Sequence, residues 1–186
     1  MAQKQKYMSP VGRAKYPHLN IPDAAFDAAN PKYKTEIVMS KDEAKDFVRS
    51  VKEAVEQEFG ANKKNIRLPY TVDDETGEVS VKVQSQFLPK FFDTAGNPIV
   101  PSALPRINGG SLIRAGGIFN LYTVSGTSGL SLMLDKVQVV EVSSGFSGDD
   151  DGFDAIEGSF TIDAAMDAVE VDTSVKTGVT ADDFDF

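Results

Sequence analysis

Apolar and polar positions alternate with the two-residue period of a β-strand along several segments of this chain, and follow a helical period along one. From Lys32 to Met39, Tyr33, Thr35, Ile37 and Met39 fall on one side and Lys32, Lys34, Glu36 and Val38 on the other, which predicts a strand. Ser40 then stands as an N-cap with Glu43 completing a capping box. Ala44, Phe47, Val48, Val51, Val55 and Phe59 share one helical face, and Gly60 stops the helix. Glu78 to Phe87 alternates again. Val79, Val81, Val83, Ser85 and Phe87 form its apolar side, and Ser80, Lys82, Gln84 and Gln86 a polar side free of acids. Phe47, Phe59 and Phe87 are assigned to the core. Two long runs, Leu112 to Val124 and Leu130 to Val142, are joined by the turn Ser125-Gly126-Thr127-Ser128-Gly129 and predict a hairpin.

The flanks lack such periods. Residues 1–31 contain Pro10, Pro17, Pro22 and Pro31 and read as an extended, positively charged arm crossing the body. Asp73-Asp74-Glu75 reads as a solvated hairpin tip, and Asn108-Gly109-Gly110-Ser111 as a turn. Several β-runs with one helix over roughly 110 residues predict a mainly β protein, a five-stranded Greek-key barrel of the OB type with one inserted α-helix. A β-sandwich with one packed helix fits the same pattern.

Charge divides the chain in two. From Met1 to Gly148, 18 Lys and Arg stand against 16 Asp and Glu; from Asp149 to Phe186 the balance is 1 against 12, so the formal net charge of −9 splits into +2 and −11. The expected domains are therefore a folded body, 1–148, and an acidic C-terminal tail, 149–186, which has no sustained apolar face and is expected to be disordered in isolation. A near-neutral body with an acidic end that closes on Asp182, Asp183, Phe184, Asp185 and Phe186 suggests a protein that handles a polyanion and uses its own end as competitor or handle. The chain has no Cys, so disulfides, thiolate metal sites and cysteine nucleophiles are excluded. No run reaches the length of a membrane span or signal peptide, and a soluble intracellular protein is expected.

Catalytic templates are missing. His18, the one histidine, sits between Pro17 and Leu19 and reads as structural or solvent-facing. No phosphate-binding loop of the NTPase type is present. Asp149-Asp150-Asp151-Gly152 invites a calcium reading, but with Gly152 at loop position six the first position is Ser147 and the twelfth is Gly158, where a bidentate Glu is needed. Neither an enzyme, nor a cofactor, nor a metal site is expected. A nuclease with clustered carboxylates lacks its carboxylates in the body.

What remains is a binding constellation. Single-stranded nucleic acid is held by aromatic faces on which bases stack, among cations that track the phosphates, and stacking contributes roughly 1–3 kcal/mol per base. The chain interleaves the two: Tyr7 with Lys4 and Lys6, Tyr16 with Arg13 and Lys15, Tyr33 with Lys32 and Lys34, Phe91 and Phe92 with Lys90, and Phe119 and Tyr122 beyond Arg114. Groove and core both stay open for Tyr16, Tyr33 and Tyr122, since a phenol beside lysines tolerates half-exposure.

Several segments, in order along the chain, carry a family likeness. Ser9-Pro10-Val11-Gly12-Arg13-Ala14-Lys15-Tyr16-Pro17, Asn30-Pro31-Lys32-Tyr33-Lys34, Asn108-Gly109-Gly110-Ser111, Val139-Val140-Glu141-Val142 and Gly145-Phe146-Ser147-Gly148-Asp149-Asp150-Asp151 resemble the single-stranded DNA-binding proteins of tailed phages, as does the acidic tail with its terminal Phe. The resemblance implies an OB-fold with a helix inserted early and DNA bound across the barrel. It implies a tail that contacts the phage DNA polymerase and helicase-primase and competes for the DNA groove, a homodimer, and a place in the cytoplasm of the infected host cell. By position, Tyr122 matches a stacking aromatic of the family, and Arg114 and Lys82 match basic strand positions. One departure follows the Tyr122 strand, where the resemblance leads to a tryptophan and this chain has no Trp at all. The expected DNA-binding set is Arg13, Lys15, Tyr16, Lys32, Tyr33, Lys34, Lys82, Lys90, Phe91, Arg114, Phe119 and Tyr122. A phage structural or assembly protein with a solubilising acidic tail is the alternative reading.

Overall fold

Five strands close on one another in the computed structural model, which describes residues 5–25 and 27–144. The strands are β1 (Lys6–Met8), β2 (Gly12–Asp23), β3 (Lys32–Met39), β4 (Tyr70–Val72), β5 (Val79–Ser85), β6 (Lys90–Phe92), β7 (Pro98–Ile99), β8 (Leu112–Val124) and β9 (Thr127–Glu141), with one helix, α1 (Lys41–Phe59). β2 pairs antiparallel with β3, β3 with β5, β8 with β9 and β2 with β8, while β5 and β9 run parallel. That circuit is the closed barrel of an OB-fold, and closure removes the free edges that an open sheet would expose. β1 is added to β8, β6 to β9, β7 to β6 and β4 to β5, outside the circuit.

The sequence expectation of an early helix holds, since α1 stands between the second and third barrel strands. Its start is built as the capping box requires. Glu43 N–H donates to Ser40 Oγ at 3.3 Å and Ser40 N–H donates to Glu43 Oε2 at 2.9 Å. Ala44, Phe47, Val51, Ala54 and Val55 are buried against the barrel. Phe47 meets Tyr7 edge-on at 6.1 Å between ring centres, and Tyr7 stacks on Phe119 at 5.6 Å.

Residues 12–23 differ from the expected irregular arm, because they form the first barrel strand. The prolines had hidden it. The β2–β3 register breaks between Lys15 and His18 and again between His18 and Asp23, so Pro17 and Pro22 fall where the ladder is already interrupted and no N–H is needed. Tyr16, at φ 49°, carries the left-handed residue of the first break. The β8–β9 hairpin turns on Ser125 and Gly126, at φ 50° and 80°, the two positive φ values of a two-residue turn that matches strand twist. β9 therefore begins at Thr127, three residues before the expected start. The hairpin tip at residues 73–77 forms as expected, with Asp73 Oδ1 accepting from the N–H groups of Glu75 and Thr76.

Candidate nucleic-acid interface

Pairing registers decide which polar side chains share a surface. Opposite residues in an antiparallel pair project to the same side. Arg13 faces Val38, Lys15 faces Glu36 and His18 faces Lys34 across β2 and β3; Val38 then faces Ser80, Glu36 faces Lys82 and Lys34 faces Gln84 across β3 and β5. Inward, Ala14, Ile37 and Val81 are buried. The outer face of β2, β3 and β5 is thus one continuous polar sheet carrying Arg13, Lys15, Lys34 and Lys82. In OB-folds this face, with the loops at its edge, is where oligonucleotides lie.

Two hollows run along it. Tyr16, His18, Asp23, Lys34, Glu36 and Lys82 line the first. Lys32, Gln84, Phe87, Asn120, Ser131 and Met133 line the second, where the face continues toward β9 and β8. Tyr16 is 69% exposed with the Lys15 ammonium 5.3 Å from its ring centre. Lys15, Lys32 and Lys82 make no hydrogen bond through their ammonium groups and no close ion pair among the described residues. Lys34 is paired to Asp23 at 2.6 Å, and this pairing holds the Asp23 carboxyl below the usual carboxylate range, helped by the N–H of Ala25. Arg13 is paired to Glu78. The acid-free polar side expected for β5 is qualified by its neighbour, since β3 brings Glu36 opposite Lys82, where Glu36 also accepts from Ser80 Oγ at 3.0 Å.

Phe87 is the residue that sequence reasoning missed. Alternation assigned it to the core, yet it is 75% exposed. Strand β5 ends at Ser85, whose Oγ accepts from the Phe87 N–H at 3.0 Å, and this local turn breaks the alternation and swings the ring outward beside Lys32 and Gln84. The motif Ser-x-Phe before Leu88-Pro89 was the available signal.

Two expected site residues are core. Phe91 is 1% exposed, because on β6 it faces Val137 on the inner side of β9. Phe119 is 6% exposed and stacked on Tyr7. Neither ring can offer a face to a base, and Tyr7, buried with its hydroxyl donating to Met133 O at 3.2 Å, cannot either. Burial also pushes the Tyr7 hydroxyl well above the ordinary tyrosine range. Tyr33 belongs to the inward series of β3 and is half-buried opposite Ser85, so it does not share the face of Lys32 and Lys34. Tyr122 is half-buried on β8 opposite Gly129. Lys90 and Arg114 are not brought to the β2–β3–β5 face; they lie on the other side of the barrel. Asp182, Asp183, Phe184, Asp185 and Phe186, the rejected calcium loop 147–158 and Lys4 lie outside the described residues. Among the described residues no cluster of His, Asp and Glu is suited to hold a metal ion, and no helix is long and apolar enough to cross a membrane.

No protein-family model and no curated protein matches this chain by sequence. Solved structures do match it in fold. Gp2.5, a single-stranded DNA binding protein encoded by bacteriophage T7, superposes with a TM-score of 0.63 at 19% identity over 85% of this chain and 98% of its own. The single-stranded DNA-binding protein from bacteriophage Enc34, in complex with ssDNA, gives a TM-score of 0.62 at 18% identity, covering 76% of this chain and 89% of its own. A C-terminal truncation of the Enc34 protein gives 0.61 at 16% identity over 75% and 87%. The chain shares the OB-type fold of these phage single-stranded DNA-binding proteins.

Proposed function

We propose that the protein binds single-stranded DNA with little sequence preference, as a non-catalytic coat during phage DNA replication and recombination. The observation that carries this reading is the outer face of β2, β3 and β5, where the ammonium groups of Lys15, Lys32 and Lys82 make no ion pair within 4 Å among the described residues, although Glu36 stands across from two of them, and lie beside the exposed rings of Tyr16 and Phe87. Cations not tied up in an ion pair attract phosphates, and exposed rings accept any base, so affinity does not depend on reading base edges. The fold shared with phage single-stranded DNA-binding proteins, one of them solved with ssDNA, supports the same ligand.

The acidic segment 149–186 is the second half of the proposal. Its net −11 competes with DNA for the basic face, with Phe184 and Phe186 as apolar anchors, and when DNA displaces it the segment recruits the phage DNA polymerase and helicase-primase. A homodimer and residence in the cytoplasm of the infected host cell belong to this reading. The test is a salt titration of oligo(dT) binding by the full chain and by a chain lacking Asp149 to Phe186. Both should lose affinity steeply with salt, and the truncated chain should bind more tightly at low salt. Equal or weaker binding after truncation would sink the competition, and a flat salt dependence the electrostatic face.

A further inference from the structure

Lys90 and Arg114 do not contribute to the β2–β3–β5 face, yet they do not stand alone. In the closed circuit β3 neighbours β2 and β5, so the seam between β8 and β9 lies across the barrel from it. Outside this seam β1 is added to β8 and β6 to β9, making a second outward surface of four strands. Its registers put Met8, Gly116, Lys136 and Lys90 in one row and Arg114, Gln138 and Phe92 in the next. A hollow opens among Met8, Phe92, Arg114, Gly116, Lys136 and Gln138, and no acid lines it.

Three features make it a site for an anion next to an apolar plane. Gly116 leaves its floor bare, since a Cβ there would stand 2.8 Å from Lys136 Cε and 3.1 Å from Met8 Sδ. Arg114 is anchored by Nε donating to Ser9 O at 2.9 Å, and its terminal nitrogens make no other hydrogen bond among the described residues. The Lys90 and Lys136 ammonium groups have no hydrogen bond and no close ion pair among the described residues, and the nearby Asp93 carboxylate is occupied by the N–H groups of Ala95 and Asn97. Phosphates between nucleosides have this alternation of charge and flat apolar surface.

We propose that the β8–β9 seam holds a second segment of the same single strand, so that DNA leaving the β2–β3–β5 face wraps the barrel and is gripped again by Lys90, Arg114 and Lys136. This rests on the single-stranded DNA reading above. The experiment compares the full chain with Lys90→Gln/Lys136→Gln on oligo(dT) of about 8 nucleotides, within the span of one OB-fold, and of roughly four times that length. The short oligonucleotide should bind both proteins alike. The long one should bind the variant several-fold more weakly, with a log–log salt slope smaller by about 1.4, at roughly 0.7 for each lost phosphate contact on a single strand. An unchanged affinity and slope for the long oligonucleotide would overturn the second segment while leaving the first face standing. Equal weakening at both lengths would also overturn it, by making the seam the primary site. If the parent protein binds neither oligonucleotide, the single-stranded DNA reading itself fails. Lys90 is exposed, so Lys90→Gln alone, with half the change in slope, carries the test if the double variant unfolds.

Discussion

The ring of Tyr122 lies directly across Gly129: a Cβ on Gly129 would stand 2.5 Å from Tyr122 Oη and 2.6 Å from Cζ. The two residues are partners in the β8–β9 ladder, so the missing side chain on one strand is the seat of the ring on the other. Tyr122→Ala should raise the Kd for oligo(dT) by an amount within the roughly 1–3 kcal/mol of one stacked base, and Gly129→Ala should move in the same direction by displacing the ring. Tyr122→Phe should bind nearly as the parent. Fluorescence titration checks this, and parental affinity for Tyr122→Ala would show that this ring stacks on no base.

Phe87 and Phe91 are four residues apart and should behave oppositely. Phe87→Ala deletes an exposed ring and should weaken oligo(dT) binding by roughly 1–3 kcal/mol with little change in Tm. Phe91→Ala empties a fully buried site and should cost about 3–5 kcal/mol of stability. Paired melting and binding curves test both. A Phe87→Ala protein that melts early and binds normally would return Phe87 to a packing role.

The pair of Asp23 and Lys34 predicts a dependence on pH. The folded carboxyl is held below its ordinary value by the Lys34 side chain, so its contribution to stability is complete above the unfolded aspartate pKa and is lost as pH falls through the lower, folded value. Asp23→Asn should remove that acid-side loss, which Tm measured across acidic pH would reveal as a flatter curve. The same variant takes a carboxylate from the interface and should tighten oligo(dT) binding at low salt.

Ser40→Ala should destabilise the protein by about 1 kcal/mol, because the Glu43 N–H loses the hydroxyl that caps it and the Glu43 carboxylate loses the donor Ser40 Oγ, while the backbone N–H of residue 40 still donates to Glu43. Ser40 caps the end of α1 that follows β3, and neither hollow of the interface includes it. Chemical denaturation should register the change while oligo(dT) affinity stays put. A matching loss of affinity would tie the helix to the binding face.

Much of the fold follows from patterns of short range. The strand Lys32–Met39 and the helix with its capping box follow from periodicity and a single cap, both of which act within a few residues. The hairpin of β8 and β9 follows from two runs and a glycine turn, although its start shifted to Thr127 because Ser125 and Gly126 suffice for the turn. Strand β2 was not legible, since Pro17 and Pro22 break the period that identifies a strand, and only pairing with β3 and β8 shows that the breaks sit in bulges.

The order of residues along the chain sets the available chemistry: cations interleaved with rings, no thiol, and an acid-rich segment set apart from a near-neutral one. Which of those groups meet depends on how distant strands pair. Side-chain direction along a strand has period two, but which strand lies beside which is set by long-range closure of the barrel. Closure sent Phe91 and Phe119 inward and separated Lys90 and Arg114 from Lys15 and Lys82. A single serine hydroxyl at the end of β5, invisible to any periodic pattern, turned Phe87 from the core to the surface.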